Sequence, residues 1–312
     1  MREVFKNKYL ARNFFGAVAL LLIVLVLLRK YVLTDYLDAE PIGWAMLIAG
    51  LSEKVLVSVV VAVGLALVLW YLIPSEEDTE QIQIVSSDNG GVSKRLREEM
   101  RSSRSWRYSG GTGTFLSAVT LPVLAGEAHK REQRTEVEAM IIDPREDSLC
   151  EQYALYRAGV KSAKHDAPWT KDHVKNQLLA TVIATYVIQN ASHYCHFKIR
   201  LKNHLSRFRY DMGDSRLFIT TESPDTPALT ARSGEHYYNS YKEDLQWSFE
   251  HADELPSEAP AVIVAEALKK AEDVEDRHIK PILVALGLEG AVPEADYPKV
   301  ATLVRESRNR YE

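Results

Sequence analysis

The chain has 312 residues, a formal net charge of -5 and a sequence pI near 6.0. This acidic balance excludes a general nucleic-acid-binding protein, although it permits local basic patches. The only cysteines are Cys150 and Cys195. They supply no disulfide framework, so reduced thiols in a reducing compartment are expected.

The N-terminal residues 1–73 are predicted to form a transmembrane hairpin. Its spans are expected at about 14–33 and 55–73, close to the ~20 apolar residues that cross a bilayer core. The first stretch follows a basic segment but lacks a small-residue cleavage site, which favours a membrane anchor over a cleaved signal peptide. The second ends in Trp70 and Tyr71, an aromatic pair typical of the membrane interface.

The distribution of basic residues predicts the orientation of this hairpin in the membrane. Basic residues are slightly more frequent before the first span than between the spans, so both termini are expected in the cytoplasm. The unpaired cysteines of the later sequence agree with a reducing environment. Within the second span, Ser58 and Gly64 are either ordinary packing positions or small-residue contacts of a homo-oligomer.

Three regions follow the hairpin. Residues 74–93, acidic and then rich in serine and glycine, are expected to be a linker. Residues 94–253 are expected to form an α/β cytosolic domain, and residues 254–312 a small helical segment. The basic helical pattern from Lys94 to Arg107 is typical either of a solvated juxtamembrane helix or of a collar for anionic lipids or nucleic acid.

A glycine-rich motif organises the α/β domain. Residues 105–115 (SWRYSGGTGTF) predict a strand, a tight turn and the start of a helix, and residues 137–143 predict a returning parallel strand. Such a turn places backbone N–H groups at a helix N-terminus, where an anion can bind; a tight turn without a ligand is the alternative. Asp143 ends its strand, at the edge where sites gather in open α/β sheets. The ligand-binding candidates here are Arg107, Gly110, Gly111, Thr112, Gly113 and Asp143.

A strand with a basic face is predicted at residues 195–202, after core helices at 149–159 and 172–189. Its apolar residues alternate with His196, Lys198, Arg200 and Lys202. Because side chains alternate across a strand, these four point to one side, as a solvated sheet edge or as a polyanion-binding surface. Arg200 and Lys202 complete the set of ligand-binding candidates.

The remaining sequence predicts smaller elements. A hairpin is expected around Gly213, followed by a loop at 224–234 and an aromatic-rich helix at 235–251. The two strands of this hairpin are expected at 205–210 and 216–221. The final helices are expected at 259–271, 279–288 and 297–308.

His196-Phe197-Lys198 has the H-x-K form of the phospholipase D superfamily, which this part of the chain resembles. The resemblance implies a nucleophilic histidine at His196 and a phosphate-binding lysine at Lys198. The aspartate of that family's motif is replaced by Asn203, and the second motif that those enzymes require is missing. The resemblance therefore implies the fold, with degenerate or absent catalysis.

A second resemblance covers most of the chain. The two spans, the basic juxtamembrane segment and the runs WRYSGGTGTFLSAVTLPVL, IIDP, YALYR and LLAT resemble the two-transmembrane effectors of bacterial retron anti-phage systems. That family implies a bacterial inner-membrane protein with a phospholipase-D-like domain. It further implies a toxin held silent by a reverse transcriptase with its multicopy RNA–DNA hybrid, and membrane disruption after phage attack (abortive infection).

Three functions remain open on these residues. The first is a non-enzymatic effector that disrupts the lipid bilayer as a homo-oligomer, while its soluble domain senses or docks a nucleic acid or nucleotide. The second is a membrane-bound phosphodiesterase or nuclease that uses His196 and Lys198. The third is a membrane-anchored scaffold that recruits a partner. The single incomplete motif favours the first, and neither a metal nor a cofactor is expected.

Overall fold

The computed structural model describes residues 54, 57–58, 61–65, 82–160, 168–223 and 225–307. The chain divides into two compact units, Met1–Thr79 and Glu80–Glu312. The described residues of the first unit are helical. Both expected spans, 14–33 and 55–73, lie wholly or largely outside the described residues, so the hairpin stays a prediction. Among the helices that the structure does describe, none combines the length and the apolarity that crossing a membrane requires.

The Glu80–Glu312 unit is a mixed α/β structure whose described residues form an eight-stranded sheet. In chain order the strands are β1 (Gln83–Val85), β2 (Ser105–Ser109), β3 (Thr135–Ile142), β4 (Cys195–Lys202), β5 (Phe208–Met212), β6 (Arg216–Thr221), β7 (Ala228–Arg232) and β8 (Asp253–Glu254). Across the sheet their order is β1-β7-β6-β5-β2-β3-β4-β8.

Parallel strands form one half of this sheet. β2 pairs with β3, and β3 with β4, in parallel, whereas the other neighbours pair antiparallel. The three parallel strands therefore end at the same edge, at Ser109, Ile142 and Lys202. This edge is called the carboxyl edge below.

Helices cover both faces of the sheet. They are α1 (Gly91–Ser102), α2 (Leu121–Arg131), α3 (Asp147–Ala158), α4 (Lys171–Ala191), α5 (His236–Glu250), α6 (Ala261–Ala265), α7 (Asp276–Ala285) and α8 (Tyr297–Arg305), with a π-helical turn at Leu116–Thr120. Short 3-10 turns lie at Asp88–Gly90, Ala271–Asp273 and Glu294–Asp296.

Alternation along the strands divides the core in two. In β3, Ala139 and Ile141 belong to the larger cluster, which holds α1–α4 against the sheet and includes Leu178. Met140, between them, belongs to a smaller cluster with Tyr238 and other residues of α5. Because successive side chains of a strand point to opposite faces, the two clusters lie on opposite sides of the sheet.

The predicted centre of the domain is confirmed. The aromatic strand, glycine turn, helix and returning parallel strand are β2, the turn, the helical run ending in α2, and β3. The basic strand is β4 with the expected bounds, Cys195–Lys202. Two long helices also lie close to their expected positions, as α3 and α4.

Other expectations were wrong. The loop expected at 224–234 contains β7, which pairs with β6, and the expected linker contains β1, which pairs with β7. The helix expected at 259–271 is only the short α6 and a 3-10 turn. The helical character expected of the C-terminal segment is, by contrast, confirmed by α6, α7 and α8, whose buried residues belong to the same hydrophobic cluster as those of α4.

Candidate functional site at the carboxyl edge

The glycine turn after β2 is buried, and packing accounts for its glycines. A Cβ at Gly110 would lie 2.1 Å from the Tyr108 hydroxyl, and one at Gly111 would lie 2.4 Å from the Tyr153 ring. Gly113 has a φ of +71° and lies against Thr181 and Ile141. Since contacts this short exclude a side chain, these positions require glycine whether or not a ligand binds.

Lys202 brings a cation to this turn. It ends β4, and its Nζ lies 3.3 Å from Oγ of Ser109, the last residue of β2. Only 2% of Lys202 and 3% of Ser109 is exposed. No carboxylate of the described residues lies within 4.0 Å of this ammonium. The Ser109 hydroxyl is neutral, so it offsets little of the free-energy cost of burying the charge of Lys202.

The chemistry of Lys202 follows from this setting. Burial lowers its pKa to about 8, and the more distant charge of Glu222 acts in the opposite direction. Glu222 is itself engaged, because it accepts a 2.8 Å hydrogen bond from the Tyr153 hydroxyl and lies 3.7 Å from Arg157. An anion placed against Lys202 would restore the charged form of the lysine and raise its pKa.

Two other predicted residues at this edge are held by neighbours. The Asp143 carboxylate receives a forked hydrogen bond from Arg145, at 2.7 Å and 2.9 Å, and Arg145 also contacts Asp253. Thr112 is 4% exposed, and its hydroxyl lies 2.9 Å from that of Thr114. Asp143 and Thr112 therefore form hydrogen bonds with neighbouring residues at this edge. Their role as ligand-binding residues stays a prediction.

Arg107 and Arg200 lie away from the edge, in a chain of ion pairs. Both bond to Glu138 of β3, at 3.0 Å and 3.2 Å, and Arg200 also contacts Glu254 of β8. Burial raises the pKa of Glu138, but hydrogen bonds from the two arginines outweigh it and leave the pKa below its ordinary value. Arg200 of β4 is thus paired with acids of both neighbouring strands.

His196 and Lys198, in the amino half of β4, are exposed. In register these residues lie beside Glu136 and Glu138 of β3. Neither is at the carboxyl edge with Lys202, and the structure does not bring them together with the glycine turn. Among the described residues, moreover, no group of three or more histidine, cysteine, aspartate or glutamate side chains is placed to hold a metal ion.

Sequence reasoning missed four side chains that define this region. Ser109 contacts Lys202, Glu138 balances the two arginines, and Tyr153 with Glu222 covers the glycine turn. For Glu138 a signal existed, because a parallel pairing of 137–143 with 195–202 places acids of one strand beside bases of the other. The contacts of Tyr153 and Glu222 join distant elements, and no local pattern indicates them.

Comparisons with known proteins identify no family. The sequence matches no protein-family model and no curated protein. The solved structures similar to it include Nuc from Salmonella typhimurium, a phospholipase D family member, at 12% identity and a TM-score of 0.33, over 55% of this chain and 96% of that chain. They also include TrmBL2, an archaeal chromatin protein described with a novel mode of DNA binding, at 10% identity and a TM-score of 0.31, over 72% and 70% of the two chains.

Likenesses as slight as these carry no argument about function. The mixed α/β unit with a helical C-terminal part is established by its own strands and helices. The phospholipase-D-like fold, the degenerate site, the retron family and the membrane role stay predictions.

Proposed function

We propose that this chain is a membrane-anchored, non-enzymatic effector whose Glu80–Glu312 unit senses an anionic ligand at the carboxyl edge. The ligand class is a nucleotide or a nucleic acid, and its phosphate binds Lys202 beside Ser109. In this proposal the N-terminal hairpin disrupts the bacterial inner membrane, as a homo-oligomer, when a reverse transcriptase with its RNA–DNA hybrid releases the protein. The outcome for the cell is abortive infection.

The observation that carries the proposal is the setting of Lys202. Its ammonium is buried, contacts the hydroxyl of Ser109 at 3.3 Å and lacks a carboxylate of the described residues within 4.0 Å. A phosphate would supply the missing negative charge, and charge-assisted hydrogen bonds are the strong ones in a buried site. Two other cations of the sheet, Arg107 and Arg200, already have Glu138 as a partner.

The alternative is a phosphodiesterase or nuclease that acts through His196 and Lys198. Its support is the H-x-K sequence alone. Both residues are exposed, lie beside the acids Glu136 and Glu138, and are remote from the buried Lys202.

Expression of the full chain in bacteria separates the two functions. Growth arrest and dye uptake are measured for the wild type, His196→Ala, Lys198→Met and Lys202→Met, and for a chain whose residues 1–73 are replaced by a soluble tag. The proposal predicts that His196→Ala and Lys198→Met remain toxic, while the tagged chain is harmless. Loss of toxicity in a folded His196→Ala protein would establish the enzyme instead.

Binding tests the sensor directly. In titrations of the purified full chain in detergent with inorganic pyrophosphate, Lys202→Met should weaken binding about tenfold or more, because a hydrogen bond to a charged group is lost. Lys198→Met, on the same strand, is the matched control and should bind as the wild type does. Equal affinity for all three proteins would refute a phosphate site at Lys202.

A further inference from the structure

The exposed side of α1 carries a stripe of basic residues. Its cations are Lys94, Arg95, Arg97 and Arg101. All are exposed except Arg97, which is half-buried, whereas the opposite side of the helix is buried against the core. Since positions three, four and seven apart lie on one side of a helix, Lys94, Arg97 and Arg101 form one row with Arg95 beside it. These four cations are called the α1 basic surface below.

The α1 basic surface lacks acidic partners. No carboxylate of the described residues lies within 4.0 Å of any of its four cations. The cations on and just after α2 differ, because Lys130 pairs with Glu127 at 2.9 Å and Arg134 with Glu136 at 3.0 Å. The positive charge of α1 is therefore offered to solvent rather than neutralised within the fold.

The two acids of α1 leave this charge largely intact. Glu99 is buried, and its Oε1 accepts hydrogen bonds from the backbone N–H groups of Ser215 at 2.8 Å and Arg216 at 3.1 Å. Glu98 is the acid on the exposed side of the helix. Four cations against this one acid leave three net positive charges, on a chain whose overall net charge is -5.

The composition and place of α1 favour a membrane surface as its partner. The helix contains no aromatic residue on which a nucleobase could stack, so it is suited to phosphate charges rather than to bases. It begins at Gly91, and residues 74–90, which are 17 in number, separate it from the expected second span at 55–73. A linker of this length reaches at most about 60 Å, so the bilayer is always within reach of α1, whereas a nucleic acid must arrive from solution.

We propose that the α1 basic surface binds the phosphate headgroups of anionic lipids in the bilayer that anchors the chain. This inference rests on the membrane anchor of the proposed function. Clusters of four or more lysines and arginines on an amphipathic helix bind anionic leaflets, and each cation contributes about fivefold to the affinity. The binding holds α1 at the membrane and is weakened by salt, because it is electrostatic.

Vesicle binding tests the surface. The full chain is reconstituted in nanodiscs of neutral phosphatidylcholine and mixed with sedimenting vesicles, made of phosphatidylcholine alone or with added phosphatidylglycerol. We expect the wild type to bind the anionic vesicles at least tenfold more strongly than the neutral ones. Raising the salt concentration should remove this preference.

Paired charge variants locate the binding on α1. Arg95→Gln with Arg101→Gln should weaken binding to anionic vesicles at least tenfold, because two cations are lost. Lys269→Gln with Lys270→Gln is the matched control, since it removes two exposed cations of the C-terminal part and changes the net charge equally. The control should bind as the wild type does, and both variants should melt at the wild-type temperature because the changed side chains are exposed.

Three results would overturn the proposal. The first is equal binding of neutral and anionic vesicles by the wild type, and the second is an equal loss in the two double variants. The third is binding of a labelled DNA duplex that only Arg95→Gln with Arg101→Gln abolishes, without a preference among vesicles, which would assign the surface to nucleic acid.

Failure of the proposed function gives different results. A chain that does not enter nanodiscs would contradict the membrane anchor, and vesicle binding of the free chain would still test α1. Pyrophosphate binding reports on Lys202 separately and should be unchanged in Arg95→Gln with Arg101→Gln.

Discussion

The two ends of β4 carry similar basic residues in opposite settings. Lys198, in the amino half, is exposed beside Glu138, whereas Lys202, at the carboxyl edge, is buried against the hydroxyl of Ser109. An exposed lysine near acids contributes little to stability and offers a weak site for an anion. A basic strand is therefore not one uniform surface, because the neighbours of each residue determine its burial and its capacity to bind an anion.

The largest effect is expected at the packed glycine turn. In Gly111→Ala the new Cβ would overlap the ring of Tyr153, which is only 1% exposed and cannot move aside. Overpacking of this kind should lower the free energy of unfolding by about 3 kcal/mol. Chemical denaturation of the full chain in detergent measures the change.

A second glycine is the control for that change. Gly126 lies in α2, and its Cβ would meet nothing within 4 Å. Gly126→Ala should therefore raise the free energy of unfolding by about 0.5–1 kcal/mol, through helix propensity. If Gly111→Ala proves equally harmless, the turn is loosely packed, and the account of its glycines is wrong.

The pH dependence of stability tests the buried setting of Lys202. Because burial lowers the pKa of Lys202 to about 8, the folded state loses this proton before the unfolded state does. The unfolded chain then holds more protons between pH 8 and about 10.4, so stability rises with pH across that window, by on the order of 3 kcal/mol.

Urea unfolding of the wild type and of Lys202→Met, at several pH values, isolates this contribution. The wild type should gain stability relative to Lys202→Met as the pH rises, and at neutral pH the variant should be at least as stable. A constant difference between the wild type and Lys202→Met would mean that Lys202 titrates like an exposed lysine.

A smaller effect is expected in the ion-pair chain of the sheet. Glu138→Gln removes the charge shared by Arg107 and Arg200 and should lower the free energy of unfolding at neutral pH by about 1 kcal/mol. Since the arginines hold the pKa of Glu138 low, this contribution is present at neutral pH and disappears as the pH falls through the folded-state pKa. Thermal melts at neutral and acidic pH measure it, and a difference that persists in acid would contradict the assignment.

The smallest effects are expected at His196 and Lys198. His196→Ala and Lys198→Met change exposed side chains and should alter the free energy of unfolding by no more than about 0.5 kcal/mol. Their pyrophosphate affinity should also match that of the wild type. A strong loss of affinity in either variant would place the phosphate site in the amino half of β4 and support the phosphodiesterase function.

Much of the sheet was predictable because its pattern is local. The apolar run of β3 and the strict alternation of β4 identify both strands, and the glycines between β2 and α2 mark the turn. β7 was missed because its residues, ALTAR, are few and small and follow a proline, a pattern that also fits a loop. β1 is shorter still, and only its pairing with β7 makes it recognisable as a strand.

The candidate site was predictable only in part. Lys202 belonged to the predicted set, but the sequence did not separate it from Arg200, because alternation assigns both to one face. Their difference arises from contacts across strands, with Ser109 for one and Glu138 for the other. Likewise, the glycines of the turn suggested a phosphate cradle, although their packing against Tyr108 and Tyr153 depends on the whole fold.

The most direct test of the account is a measurement of the Lys202 pKa by NMR of the full chain in detergent, with labelled lysine side chains and Lys202→Met for assignment. The buried ammonium should show a pKa near 8 without ligand, and this pKa should rise by about one unit or more when inorganic pyrophosphate is added, because the bound anion stabilises the charged form. A pKa close to that of an exposed lysine, unmoved by pyrophosphate, would contradict it.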